Sequence, residues 1–417
     1  MADRAIEHPE AARARRRGLF AALAFAAVAS LPLLPHQGWA QSGPPLQIGV
    51  LNDSSGPTAA LSGLGSVTSA EMAVEDFGGT VLGRPIQLLK ADHQAKADLG
   101  IGIARRWFDD DVRAVFDIGI TTVALGVQQL AKDKNKIAVF TSTGTVDLTG
   151  KSCSPNGIHW TYDSYAFAVG AARANMAAGG KRWFFLTVDY AYGRSLQDEA
   201  TKYIEGQGGS VVGLARHPFE TKDFSSDLLK AQGSGADTIG LATPTAQISA
   251  IVKQAAEFGV GGAQAQRLAP IGLLMNDVKG LGLAAAQGLL VTEPFYWDQT
   301  DETRRFADRF RTRTGYMPNS YQASVYGAVT HYLKAVKAAG TDDSGAVLAT
   351  MKSMPVEDFM TKGGTIRPDG RLVREMHIFR VKTPAESKSE WDLFQPVSTI
   401  PPNEAFKAPD PACPLVK

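Results

Sequence analysis

Small hydroxyl residues and glycines gather at four places where an apolar run gives way to a helical pattern in this 417-residue chain. Gly119-Ile120-Thr121-Thr122 follows the run Val112 to Ile118, and Thr141-Ser142-Thr143-Gly144-Thr145 follows Ile137 to Phe140. Further on, Asp189-Tyr190-Ala191-Tyr192-Gly193 follows Trp183 to Val188, and Thr243-Pro244-Thr245 follows Thr238 to Ala242. Hydroxyls beside a helix start suit a carboxylate, because the unpaired N–H groups and the positive dipole end there favour an anion. The same hydroxyls also cap helices, and the two roles are compatible. Tyr192 adds an apolar ring with a polar tip. Trp160, Phe295, Tyr296 and Trp297 read as core or interface residues at least as readily as ligand-stacking ones.

Catalytic signatures are missing by comparison. The chain has no GxSxG elbow, no HExxH, no P-loop and no CxxC pair, and nothing assembles a nucleophile, a base and an oxyanion site. Its seven histidines, among them His93, His159 and His217, never fall at metal-ligand spacing, so neither a metal nor a cofactor is expected. Gly63-Leu64-Gly65 resembles part of a dinucleotide fingerprint but lacks the third glycine, which makes it a packing feature. Asp109-Asp110-Asp111 reads as a solvated turn at a helix end.

The elements that must position these residues alternate regularly. Leu46 to Leu51 is a first strand, followed by a helix that aligns Leu61, Leu64, Val67, Ala70 and Phe77. Strand Pro85 to Leu89, a helix with Leu99, Ile103 and Trp107, strand Val112 to Ile118, a helix around Val123 to Leu130 and strand Ile137 to Phe140 continue the series. A second series after Tyr162 places strands at 183–188, 210–215, 238–242, 268–273 and 289–292, with helices between them. Strands that are nearly continuous apolar runs separated by helices indicate parallel sheets covered on both faces, so the fold class is α/β with two domains. Helices Asp301 to Thr314 and Asn319 to Ala339, a hairpin over Gly364 to Val381 around Pro368-Asp369-Gly370, and a proline-rich tail complete the reading. In an open parallel sheet, ligands bind outside the carboxyl ends of the strands, which is where the hydroxyl clusters fall.

Composition narrows the class further. With 44% hydrophobic and 20% charged residues the chain suits a globular protein with two cores, and 43 Lys+Arg against 42 Asp+Glu leaves no basic footprint for nucleic acid. The start is lopsided: Arg4, Arg13, Arg15, Arg16 and Arg17 stand against Asp3, Glu7 and Glu10. Arg13 to Arg17, the uncharged run Gly18 to Leu34 and Gly38-Trp39-Ala40 form a signal-peptide pattern, with export and cleavage near Ala40; a membrane anchor is the alternative. For an exported chain, a disulfide between the only cysteines, Cys153 and Cys413, would tie the tail to the body; two buried free thiols are the alternative.

Taken together, Ser55-Gly56-Pro57, Gly119 to Thr122, Asp147-Leu148-Thr149-Gly150, Asp189 to Gly193, Lys222-Asp223-Phe224-Ser225, Gly288-Leu289-Leu290-Val291 and Asp369-Gly370 resemble a known family in order and spacing. That family is the type I periplasmic solute-binding proteins of ABC importers, in the leucine/isoleucine/valine-binding branch. The resemblance implies two lobes, each a mainly parallel sheet flanked by helices, joined by three crossovers that close on a small ligand. On it, lobe one takes residues 41–162 and 296–375, lobe two 163–295 and 376–400, and a tail 401–417. It implies that Thr121, Thr122, Ser142 and Gly144 hold a ligand carboxylate and that Tyr192, with Thr243 or Thr245, closes over the rest. The family's amino-acid binders carry an acid for the α-ammonium where this chain has Gly272-Leu273-Leu274-Met275, and the next acid here is Asp277. An aromatic or other organic acid is therefore a ligand class beside the amino acids. The implied partners are a small carboxylate and a membrane permease, with the chain a monomer and not an enzyme. A periplasmic sensor of the same fold and an α/β enzyme are the rival classes.

Overall fold

The structure, a computed structural model, describes residues 43–260 and 266–417. The export segment, residues 1–40, and its cleavage near Ala40 lie outside the described residues. A six-stranded sheet holds β1 (Leu46–Asn52), β2 (Thr80–Val81), β3 (Arg84–Asp92), β4 (Ala114–Asp117), β5 (Ile137–Phe140) and β6 (Gly157–His159) in the order β2-β3-β1-β4-β5-β6. All its pairings are parallel except β2 with β3, and β1 sits at the centre with Leu46 opposite Ile86 and Ile48 opposite Ala114. A second sheet, wholly parallel, holds β7 (Arg182–Val188), β8 (Ser210–His217), β9 (Thr238–Ala242) and β10 (Arg267–Pro270) in the order β10-β9-β7-β8.

The helices form where apolar residues recur at helical spacing and bury that face on the sheets. Along the first sheet run α1 (Gly63–Phe77), α2 (Ala97–Asp109) and α3 (Thr121–Asp133); along the second run α4 (Ser164–Ala177), α5 (Ala191–Gly206), α6 (Ser225–Gly233), α7 (Thr245–Glu257), α8 (Met275–Leu281) and α9 (Leu283–Ala286). The chain then forms β11 (Leu290–Glu293), α10 (Asp301–Thr314), α11 (Ser320–Ala339) and α12 (Ser344–Ser353). Val325, Val329, Tyr332 and Val336 of α11 pack on β1, β4 and β5 in one core with Val347 and Met351 of α12. Asn319 starts α11 by accepting from the N–H groups of Tyr321 and Gln322 at 2.9 and 3.1 Å. Gly65 lets α1 approach α11, since a Cβ there would lie 2.3 Å from Gln322 Nε2; the glycine pair is a packing feature.

The hairpin is shorter than the sequence suggests. Only β12 (Thr365–Ile366) and β13 (Leu372–Val373) pair across the turn, while β14 (Met376–Val381) joins an antiparallel sheet between β11 and β15 (Phe394–Ile400). Half of the apolar alternation read as one hairpin thus serves another sheet. Gly370 makes the turn with φ 86°, and a Cβ there would meet Gly157 O at 2.3 Å. The proline-rich end likewise contains β15 and a short α13 (Pro402–Ala405) before the true tail.

Three segments link the groups of elements: Trp160 to Asp163 between β6 and α4, Pro294 to Thr300 between β11 and α10, and Arg374 to Glu375 between β13 and β14. They are tied by two buried arginines. Arg371 donates to the carbonyls of Thr161 and Tyr162 and lies 3.5 Å from the Asp163 carboxylate. Arg374 donates to Pro294 O at 2.8 Å and Met360 O at 2.9 Å. Burial lowers the pKa of each to about 10, so both remain cationic at neutral pH. The fold is α/β with parallel sheets flanked by helices, as the sequence suggests.

The tail runs from α5, beside the second sheet, to the loop before β6 of the first. Lys407 pairs with Glu199 of α5 at 3.0 Å, the Phe406 ring lies 4.3 Å beneath the Arg371 guanidinium, and Cys413 is bonded to Cys153. That disulfide closes a loop of 260 residues. Cys413→Ser is expected to lower the unfolding free energy by about 2–5 kcal/mol. A urea midpoint that falls in the variant, falls equally in reduced wild type, and does not move when the variant is reduced is the expected result.

Candidate ligand-binding cleft

The backbone is most constrained where β3 and β4 end. Of the eight non-glycine residues with positive φ among the described residues, Gln94 and Ala95 follow β3, and Asp117, Ile118 and Ile120 surround the end of β4. β-branched residues rarely adopt this region, and such strain persists where the surroundings over-determine it, often at binding sites. Its consequence here is the aim of α3. Ile120 stands at the N-cap with no side-chain acceptor, so the first-turn N–H groups of Thr121 and Thr122 are left open. Thr121 is half-buried and Thr122 exposed.

The loop after β5 forms the neighbouring wall. Thr141 donates its hydroxyl to Asp117 at 3.0 Å and Thr143 donates to Ile118 O, so both turn inward. Ser142, between them, has a buried Oγ with no hydrogen-bond partner among the described residues. Gly144 lies under Tyr162, whose ring would be 2.8 Å from a Cβ at that position.

Beneath these groups sits a polar cluster that sequence reasoning missed. Asp117 is fully buried at the end of β4, and burial raises the pKa of its carboxyl. Ser142 and Ser66 stand near it without reaching hydrogen-bond geometry, and Oδ2 has no partner among the described residues. Asp53 is also buried, and its carboxylate accepts from Gly56 N, Thr58 N and the Thr58 hydroxyl at 2.7–2.8 Å, which fixes the turn before α1. The available signal was an acid inside the apolar run Val112 to Ile118.

Residues from the second sheet meet this wall around two tyrosines. Tyr162 stacks between Phe167 at 4.2 Å and Tyr321 at 5.0 Å, and its hydroxyl bonds to that of Tyr321. Leu61, from the turn before α1, and Tyr192, from the first turn of α5, pack into this same cluster. The Tyr192 hydroxyl lies 3.2 Å from the position of a Cβ on Gly272, and burial together with the Asp277 charge raises its pKa. Thr245 opens α7 and faces Asp277. Asp277 is half-buried and accepts from Leu274 N at 2.9 Å; burial raises its pKa to about 6, and no cation pairs with it among the described residues. Thr243 departs from the expectation: it is 1% exposed, with its hydroxyl bonded to His217 Nε2 at 3.1 Å and to Gln247. Its oxygen is committed to the interior. Trp160, Phe295 and Tyr296 are buried core residues, and half-buried Trp297 packs against that core. Among the described residues no cluster of metal ligands occurs.

Two α/β units whose strand ends converge on hydroxyls, open helix N–H groups and tyrosines define a two-lobed binding protein of the type I periplasmic architecture. The sequence matches the periplasmic binding protein family over residues 45–388, and the chain belongs to that family, in its leucine/isoleucine/valine-binding branch. It is similar to the Leu/Ile/Val-binding protein homolog 1 of Brucella suis, 23% identical over 351 residues, covering 81% of this chain and 88% of the relative. A branched chain amino acid ABC transporter periplasmic ligand-binding protein from Burkholderia xenovorans is 40% identical, with a TM-score of 0.84 over 87% of this chain and 97% of that one. A solute binding protein from Rhodopseudomonas palustris, in complex with 3,4-dihydroxy benzoic acid, shares the fold at 20% identity and a TM-score of 0.76, covering 86% and 98%. These family and fold neighbours are binding proteins.

Glu293, at the end of β11, links the lobes' elements by accepting from Met275 N at 2.9 Å and from the Ser320 hydroxyl at 2.6 Å. Burial raises its pKa to about 8. The native state therefore binds a proton that the unfolded chain releases near pH 4.5, so this contribution is full below pH 4.5 and disappears as pH rises through 8. Wild type is expected to lose about 2 kcal/mol between pH 6 and pH 8 from this group, and Glu293→Gln to flatten that slope. Chemical denaturation of both proteins across that range checks it; parallel pH profiles would refute the assignment.

Proposed function

We propose that this chain is an exported substrate-binding protein of an ABC importer that captures a small carboxylated solute and delivers it to a membrane permease. The observation that carries the reading is the strained turn Asp117 to Ile120, which leaves the first turn of α3 uncapped beside an unpartnered Ser142 hydroxyl. Thr121, Thr122 and Ser142, with their N–H groups, hold the carboxylate, and Gly144 keeps the backbone low beneath Tyr162. Tyr192 and Thr245 cover the rest of the ligand from the other side; Thr243 positions the wall behind them. The lobes are residues 41–162 with 296–375 and 163–295 with 376–400, and the protein acts in the periplasm as a monomer after removal of residues 1–40. Closure around the ligand gives the state a permease recognises, and the ligand drives it by binding that state more tightly.

Asp277 bears on the ligand class. A half-buried carboxylate without a cation, beside Tyr192 and Thr245, suits an α-ammonium, which favours an amino acid of the kind named for the Brucella and Burkholderia relatives. The aromatic wall of Tyr162, Tyr192 and Tyr321 favours the second reading, an aromatic acid like that in the Rhodopseudomonas complex.

Calorimetry separates them. Thr121→Ala is expected to weaken whichever ligand binds by about tenfold, the loss of a charge-assisted hydrogen bond. Asp277→Asn weakens leucine by about tenfold or more on the amino-acid reading and leaves 3,4-dihydroxybenzoate unaffected on the other. Unchanged affinity in Thr121→Ala would refute the carboxylate site.

A further inference from the structure

We propose that His93 is a ligand-binding residue of this cleft, its Nε2–H donating to an oxygen of the bound carboxylate across Gly119. The inference rests on the carboxylate site proposed above and adds a donor from the loop after β3, a segment that contributes no residue to that set. His93 follows β3 directly, continuing its pairing through a hydrogen bond from its N–H to Asn52 O at 2.8 Å. The ring is fully buried. Ala95 N–H donates to Nδ1 at 3.1 Å, so Nδ1 is the acceptor and the neutral ring carries its proton on Nε2. Burial lowers the pKa and keeps the ring neutral, although the carboxyl groups of Asp53, Asp117 and Asp92 all face it and act in the opposite direction.

That Nε2–H has no acceptor among the described residues. A buried donor without a partner is costly, and one beside an uncapped helix start calls for an acceptor from outside the chain. The geometry locates the acceptor. A Cβ built on Gly119 would lie 3.9 Å from His93 Nε2 and 3.4 Å from Ser142 Oγ, which is also unpartnered. Both polar atoms thus face the small space that the missing side chain leaves, immediately before the open N–H groups of α3. A carboxylate seated on those N–H groups presents an oxygen toward that space. Gly119 is not in the left-handed region, so nothing in its backbone angles demands a glycine. Close approach of a ligand does.

The test measures binding of leucine and of 3,4-dihydroxybenzoate by calorimetry to wild type, His93→Leu, His93→Gln, Gly119→Ala and Thr121→Ala. With the probe that wild type binds, His93→Leu is expected to weaken affinity about tenfold, and His93→Gln, whose amide can supply the same donor, by less than about threefold. Gly119→Ala, which meets no clash and no forbidden φ, should unfold at the wild-type temperature yet bind about tenfold more weakly, because the methyl fills the space. If His93→Leu does not fold, Gly119→Ala together with His93→Gln decides. Wild-type affinity in His93→Leu, or in Gly119→Ala, while Thr121→Ala is weakened overturns the role of His93 and leaves the carboxylate site standing. Wild-type affinity in Thr121→Ala, or no binding of either probe by wild type, overturns the site itself.

Discussion

Arg371 and Arg374 sit three residues apart on either side of β13, and both guanidinium groups are buried. Each reaches a different crossover: Arg371 the carbonyls of Thr161 and Tyr162, Arg374 that of Pro294. Crossovers lack the ladder of a sheet, so their carbonyls need donors from elsewhere. A planar, permanently charged fork supplies several at once, which a lysine cannot. Removing one such group would orphan buried carbonyls and the nearby carboxyls of Asp163 and Asp358 together. The placement of the two sheets depends on this tie, and the tail reinforces it from behind through Phe406.

With the crossovers held, Tyr162 and Tyr321 stack in one cluster with second-sheet residues such as Phe185 and Ala242, joined by Leu61 and Tyr192. Local order then follows from polar residues buried at strand ends. Asp53 organises the turn before α1, Asp117 is gripped by Thr141, and Glu293 joins α8 to α11. Each of these carboxyl groups is shielded from solvent, and the geometry of the cleft walls is determined by what they bond. The strain at Asp117, Ile118 and Ile120 is held in place by those same bonds.

Most strands were legible as apolar runs, and Ile137–Phe140 and Thr238–Ala242 have the expected bounds. Helix α12 was missed because its short stretch of small residues carries little amphipathic signal, and β14 was assigned to the wrong partner because alternation does not name one. At the cleft, Thr121 and Thr122 stand at the start of α3 and Ser142 follows β5, the strand-to-helix junctions that apolar runs mark in the sequence. Thr243, at a junction of the same kind, bonds His217 and Gln247 in the interior, partners that no local feature of the sequence announces.

Local spacing in the sequence determined the two α/β series, the junctions that carry hydroxyls and the absence of any assembled catalytic motif. Those are short-range properties, encoded in periodicity and in chain reversal. Which buried groups meet was decided only by the tertiary structure, because His93, Asp117 and Ser142 lie at or just beyond the ends of three different strands, and Asp277 faces Thr245 across two helix starts. Pairing between strands distant in sequence brings such groups together, and a single sequence carries no local signal of that pairing.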